Sequence, residues 1–299
     1  MPHDAVATPA RDHVHALLIV CVLAVASLVI AFLGASPARV SSTELLGAPR
    51  TPGENAFIAS HRGGGATAPE NTLPAIEAAL AGGFEYVEVD IALTADRRAV
   101  LMHDASVDRT TDGHGRLAML TFDEVRGLDA GAWFDPSFAG TQVPTLEEFL
   151  DVLDASGKKA MIELKGRWDA ETVAGFVAQV AARGLEQHII VSSFDARTLA
   201  LAATASTAIP RLAIFRKLPA DIVEAALELG VRGVIVDRRV VMAQPEIIDS
   251  LHAEGVRVVV YTLNDHEHWQ EVTQLGVDGI VTDSPATLSD WQAGADAER

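Results

Sequence analysis

Residues 159–194, KAMIELKGRWDAETVAGFVAQVAARGLEQHIIVSSF, hold one complete strand–helix–strand unit. KAMIELK (159–165) and HIIVSSF (188–194) are apolar runs of strand length. The stretch between them is amphipathic and stops at Gly184, as a helix does when glycine supplies its left-handed C-terminal cap. A strand, a helix and a second strand in this order form the crossover that joins parallel strands.

The unit recurs in both directions. AFIAS (56–60) and YVEVDIALT (86–94) lie upstream, and RLAIF (211–215), GVIVD (233–237), RVVVYTL (257–263) and GIVTD (279–283) lie downstream. Six intervening stretches close on Gly82, Gly157, Gly184, Gly230, Gly255 and Gly276, all expected as left-handed caps. Thr145-Leu146-Glu147-Glu148 fits a capping box, and Pro219 and Pro245 suit first-turn positions. Eight strands alternating with helices point to the α/β class and a closed (β/α)8 TIM barrel. An open doubly wound sheet is the alternative. No Gly-x-Gly-x-x-Gly follows a strand, which weakens its dinucleotide-binding form.

Two places break the rhythm. AVLMHD (99–104) follows the second strand after only Ala95–Arg98, too few residues for a parallel crossover, so it must fold back as an antiparallel partner. A turn near residue 96 sets His103 roughly opposite Val89, within a residue or two, and so beside Glu88 and Asp90. The second break is the insertion from about 105 to 144, a length that in barrels belongs to functional rims.

The amino-terminal region reads differently. Residues 1–15 form a tail, and residues 16–35, ALLIVCVLAVASLVIAFLGA, carry no charge over the length of a membrane-spanning helix. An uncleaved anchor and a cleaved signal peptide compete: the run exceeds a usual signal core, while Ser36-Pro37-Ala38 offers small residues for cleavage. The favoured expectation is a single-pass anchor in the cell membrane, with the domain outside the cytoplasm. Secretion after cleavage is the alternative. Residues 36–55 read as a Ser/Pro/Gly-rich linker and 56–295 as the folded domain. Of the 299 residues, Lys and Arg number 23 and Asp and Glu 41, a net charge of −18 that argues against nucleic-acid partners. The single cysteine, Cys21, excludes an internal disulfide framework.

Barrel enzymes carry their chemistry at the carboxyl ends of the strands. Here those ends hold His61-Arg62-Gly63-Gly64-Gly65, then Glu88 and Asp90, then His103-Asp104, then Glu163 and Lys165. Period two in a strand sets Glu88 with Asp90, and Glu163 with Lys165, on one face. Three carboxylates in one cavity repel each other unless a cation joins them, and oxygen-only ligation suits Ca²⁺ or Mg²⁺. Arg62 and Lys165 suit an anion beside that cation, phosphate first of all. The Gly63–Gly65 run would let backbone N–H groups approach the same anion. His61 and His103 supply an acid and a base near neutral pH, and the set as a whole describes phosphoester cleavage.

HRGGGATAPENT (61–72), VEVDIALTAD (87–96), VLMHDASVDRTTDGHG (100–115), VPTLEEFL (143–150), MIELKG (161–166), VSSFD (191–195), YTLND (261–265) and GVDGIVTDSP (276–285) together resemble the glycerophosphodiester phosphodiesterase family, in the family's order. The resemblance implies a metal-dependent barrel that cuts a glycerophosphodiester, its small-molecule partner, to sn-glycerol 3-phosphate and an alcohol. It makes His61 and His103 the acid–base pair and Glu88, Asp90 and Glu163 the ligands of one divalent cation, Ca²⁺ or Mg²⁺. It gives Arg62 and Lys165 to the phosphate and has Glu70 and Asn71 brace the site. The chain departs from the family at Asp96-Arg97-Arg98, where Asp-Gly is common, and at Tyr261, where Trp is common. Two other functions stay open: a membrane-anchored phospholipase D- or C-like enzyme acting on lyso-phospholipids, and a non-catalytic barrel that binds polyol phosphates. Oligomeric state, headgroup preference and the division of roles between the two histidines are not legible.

Overall fold

The computed structural model describes residues 45–297. The segment 16–35 and the tail before it lie outside the described residues. Among the described residues no helix is long and apolar enough to cross a membrane.

Nine strands form one sheet: β1 (Phe57–Ser60), β2 (Tyr86–Leu93), β3 (Ala99–Leu101), β4 (Lys159–Leu164), β5 (Ile189–Ser193), β6 (Arg211–Phe215), β7 (Gly233–Asp237), β8 (Arg257–Tyr261) and β9 (Gly279–Thr282). Eight of them pair in parallel, and β1 bonds to both β9 and β2, which closes the ring. The barrel reading therefore holds and the open sheet does not. β3 stands outside the ring as the antiparallel partner of β2, with Ile91 opposite Leu101 and Leu93 opposite Ala99. That register continues to Met102, whose N–H donates to the Asp90 carbonyl at 3.0 Å, and so sets His103 opposite Val89 as the hairpin arithmetic requires.

Among the described residues ten helices follow β1: α1 (Leu73–Ala81), α2 (Phe122–Arg126), α3 (Leu146–Ser156), α4 (Ala170–Ala181), α5 (Ala196–Ala205), α6 (Ile222–Leu229), α7 (Arg238–Ala243), α8 (Glu246–Ala253), α9 (His266–Leu275) and α10 (Pro285–Ala297). Two apolar clusters fill the space between strands and helices. One gathers Val87, Val89, Ile162 and Val191 against Phe149 and Phe176, the other Val234, Val258 and Ile280 against Trp269 and Leu251. A third lies among alternate strand residues, including Tyr86, Met161, Leu212, Ile235 and Val259. Glu88 and Asp90 follow Tyr86 at period two, and Glu163 follows Met161, so the strand pleat alone carries these carboxylates into the barrel interior.

The capping box forms as expected, with Thr145 accepting from the Glu148 N–H and the Glu148 side chain reaching back to the N-cap. Five of the six glycines adopt positive φ: Gly157, Gly184, Gly230, Gly255 and Gly276. Gly82 does not; its φ is −73°, and a Cβ there would meet the Phe84 ring at 2.4 Å, so room for an aromatic ring decides that position. Pro219 also departs from expectation. It precedes α6, whose first turn is capped by the Asp221 carboxylate accepting from Glu224 N–H. The insertion carries a small core of its own, in which Val107, Leu117, Val125 and Val143 pack on Val100 and Met102.

Residues 45–55 do not behave as a free tether. Leu45 and Leu46 are buried in the interior cluster, and the Arg257 guanidinium donates to the Gly47 carbonyl at 2.8 Å. Full burial of two leucines contributes roughly 2 kcal/mol each, enough to hold this segment against the amino-terminal end of the barrel.

Candidate active site

Glu88, Asp90 and Glu163 converge, each offering one oxygen such that all three lie within 4.8 Å of one another. Register explains the convergence: Asp90 and Glu163 are direct partners across the β2–β4 pair, and Glu88 sits one pleat behind. All three are buried. Burial pushes the Glu88 carboxyl up to about 8, and the charge of Asp90 adds to it. Burial, then Asp90, lifts Glu163 to about 7. Burial works on Asp90 in the same sense, but Lys165, His103 and Arg62 outweigh it and hold that carboxyl below its ordinary value. Two of the three would therefore sit protonated near neutrality unless positive charge joined them. An all-oxygen, buried, self-repelling set of this kind fits a hard divalent cation.

Both histidines reach the cluster from neighbouring strand ends. His61 follows β1 directly, and its Nδ1 lies 2.6 Å from Asp283 Oδ1. Asp283 is held in turn by Asn264, whose Nδ2 donates to Oδ2 at 2.7 Å. Burial pulls the His61 imidazole down, yet the Asp283 hydrogen bond and the Glu88 charge prevail and raise it. His103 follows β3, and its Nδ1 lies 2.7 Å from Asp104 Oδ1. Burial lowers His103 in spite of Asp90, and Lys165 and Arg62 push the same way. A carboxylate on each Nδ1 leaves each Nε2 as the working nitrogen.

Arg62 occupies the left-handed region at φ 53° and donates its backbone N–H to Glu88 Oε2 at 2.9 Å. The turn tolerates this because Gly63 follows at φ 82°, where a Cβ would strike the backbone of Ala75 and Ile76 at 2.9 Å. The Arg62 guanidinium pairs with Glu70 at 2.7 Å, while its Nε is buried without a hydrogen-bond partner. Lys165 Nζ lies 3.1 Å from Glu163 and 3.4 Å from Asp90. Asn71 and Asp90 exchange two hydrogen bonds, Nδ2 to Oδ2 at 2.9 Å and Asp90 N–H to Oδ1 at 3.0 Å. All nine residues singled out from the sequence thus meet in one place. Two of the three N–H groups expected to face an anion are used within the turn, because Gly64 and Gly65 both donate to the His61 carbonyl.

Three participants escaped the sequence reading. Asp283 ends the last strand, so the strand-end rule that found Glu88 could have found it. Asp104 was placed at a strand end beside His103 but given no role. Arg109 lies in the insertion with no local signal; it joins Asp104 at 2.6 Å to both Glu70 oxygens at 2.7 Å. The result is an unbroken ionic chain from His103 to Arg62.

Two cavities flank the cluster. A small one of about 40 Å³ is lined by His61, Glu88, Glu163, Ser192, Phe194 and Tyr261. A larger one of about 580 Å³ begins at His103 and Lys165 and runs outward over the insertion.

Residues 61–287 match the model of the glycerophosphoryl diester phosphodiesterase family. The glycerophosphodiester phosphodiesterase of Caldanaerobacter subterraneus subsp. tengcongensis is 30% identical over 237 residues, covering 78% of this chain and 96% of that one. Glycerophosphodiester phosphodiesterase 1 of Rattus norvegicus is 31% identical over 268 residues, 78% of this chain and 79% of the relative. Among solved structures, a phosphodiesterase from Oleispira antarctica in complex with the product sn-glycerol-3-phosphate superposes with a TM-score of 0.71 at 27% identity, covering 79% and 96% of the two chains. The glycerophosphodiester phosphodiesterase of Agrobacterium tumefaciens str. C58 does so at 0.68 and 29%, covering 79% and 100%.

Proposed function

The chain belongs to the glycerophosphoryl diester phosphodiesterase family and is a phosphoric diester hydrolase, and from that premise we propose that it cuts glycerophosphodiesters to sn-glycerol 3-phosphate and an alcohol with one divalent cation and two histidines. One observation carries the reading. Three buried carboxylates meet within 4.8 Å between two imidazoles, each steadied by an aspartate.

Glu88, Asp90 and Glu163 would hold the cation, Ca²⁺ or Mg²⁺. When bound, a cation there would neutralise the carboxylates and supply Lewis-acid chemistry to the phosphodiester. Arg62 and Lys165 hold the non-bridging phosphate oxygens and stabilise the charge that grows on them. One imidazole takes the hydroxyl proton through Nε2 as that oxygen bonds to phosphorus. The bond to the alcohol breaks, and the other imidazole protonates the departing oxygen. Water then opens the cyclic phosphate with the two histidines exchanging roles, which gives each the same working nitrogen and the same kind of aspartate support.

The small cavity, with Ser192 and Tyr261 in its lining beside the carboxylates, suits the glycerol. The substrate proposed is a soluble glycerophosphodiester rather than a lyso-phospholipid. Segment 16–35 is proposed as a single-pass anchor that leaves the barrel outside the cytoplasm. The amino-terminal sequence of the mature protein distinguishes this from a cleaved signal.

The deciding assay uses metal-depleted protein with glycerophosphocholine, re-supplied with Ca²⁺ or Mg²⁺ and followed by release of glycerol phosphate. Activity restored by one of the two cations is expected. Full activity without metal overturns the carboxylate assignment, and exclusive cleavage of lysophosphatidylcholine overturns the substrate.

A further inference from the structure

The larger cavity carries an unusual charge. Acids outnumber bases 41 to 23 in this chain, and most of the mouth's cations are tied to carboxylates. Yet Arg116, Arg167 and Arg216 all line this groove, and among the described residues none of the three makes an ion pair. Arg216 instead stacks over the Phe194 ring at 4.5 Å, with Lys165 over the same ring at 5.9 Å. Phe194 lies in the lining of the small cavity, so this ring marks where the two cavities meet. Two carboxylates also face the groove, and both are committed. Asp104 holds His103 and Arg109, and Asp169 caps α4 while pairing with Arg97 at 2.8 Å.

Geometry gives the groove its place in the reaction. Lys165 sits at its inner end and belongs to the phosphate clamp, and His103 lines the same wall. With the glycerol in the small cavity, the alcohol bonded across the scissile phosphate lies toward the groove. Three guanidiniums without carboxylates attract a negatively charged group there and repel a quaternary ammonium. The groove also has an apolar lining, contributed by Leu93, Leu117 and Ala118.

We propose that the groove lined by Arg116, Arg167 and Arg216 is a leaving-group subsite for alcohols that themselves carry a phosphate or another anion. The inference rests on the phosphodiesterase reading and names the substrate class within it. A glycerophosphodiester with a second phosphodiester on its alcohol places that second charge among the three arginines.

The test compares three glycerophosphodiesters on the full-length, metal-supplied protein. Glycerophosphocholine has a cationic alcohol, glycerophosphoglycerol a neutral one, and bis(glycerophospho)glycerol an anionic one. The expected kcat/KM rises in that order, and the differences shrink as NaCl is added. Arg116→Ala and Arg167→Ala should each lower kcat/KM on the anionic substrate about fivefold, the worth of one exposed charge pair, and leave glycerophosphoglycerol unchanged. Equal or faster cleavage of glycerophosphocholine overturns the subsite, as does a uniform loss on all three substrates in both variants. If wild-type protein cleaves none of the three, the phosphodiesterase reading fails. Titration of the same compounds into His61→Ala protein then reads the groove separately: tighter binding of the anionic compound supports it, and equal affinities overturn it.

Discussion

The two ends of the barrel are made from the same residue types and put them to opposite uses. At the amino-terminal end, Asp278 is buried with Arg257, His252 and the Arg50 backbone. Its Oδ1 accepts from Arg50 N–H at 3.0 Å, and its Oδ2 accepts from Val258 N–H and contacts His252 Nε2, both at 2.7 Å. One carboxylate there is shared among several donors. At the mouth the ratio is reversed, and three carboxylates crowd together with Glu88 and Glu163 driven toward protonation. A buried charge surrounded by donors is structural, because only the fold depends on it. A buried set with charge left over waits for a ligand, and the leftover defines what that ligand must be.

The largest effect that would break this contrast concerns the imidazoles. His61→Ala and His103→Ala should each lower kcat about 10³-fold on glycerophosphocholine, with the thermal midpoint within a few degrees of wild type. Near-normal turnover in either variant would move the chemistry elsewhere. Asp278→Ala tests the opposite end. It leaves Arg257 buried without its carboxylate and should cost about 3 kcal/mol in urea unfolding while kcat stays unchanged. A loss of activity at constant stability would erase the distinction between the two ends.

The mouth should also declare itself through pH. Glu88 and Glu163 hold their protons in the folded chain to about 8 and about 7, above the ordinary 4.5 of the unfolded chain. Between those limits unfolding releases protons, so the metal-free protein loses stability as pH rises through the window. Asp90, held low, contributes in the other direction and only in acid. Saturating Ca²⁺ or Mg²⁺ should flatten the slope, and Glu88→Gln should remove most of it. Denaturant midpoints at pH 5, 6, 7 and 8 read this directly, and a flat metal-free profile contradicts the crowding. The smallest effect expected is that of Asp283→Asn. It keeps the shape but withdraws the charge behind His61, and should reduce kcat about tenfold and shift the His61 limb of the pH–rate profile, with KM unmoved. A change in KM alone would make Asp283 a binding residue instead.

Much of this was open to reading before any coordinates. Glu88 and Asp90 announce themselves by period two in a β-branched run, and the five residues between β2 and AVLMHD leave no choice but a hairpin that delivers His103. The role of Arg109 was not readable, since a loop sets no period and its partnership with Glu70 spans 39 positions. Gly64 and Gly65 looked like an anion cradle; the turn they make consumes their N–H groups in closing on His61. Leu45 and Leu46 looked like linker because a plug in a barrel has no repeat to betray it.

Hydrophobic period, glycine stops and turn lengths act over a handful of residues, so the chain's own order was enough to specify eight strands, their helices and the polar groups at the strand ends. Closure of the ring is a different matter. It sets His61 against Asp283 across 222 positions and Arg50 against Asp278 across 228. No local preference encodes such distances. They arise when the last strand docks on the first and brings together charges whose energies depend on burial and on neighbours that only a closed barrel can provide.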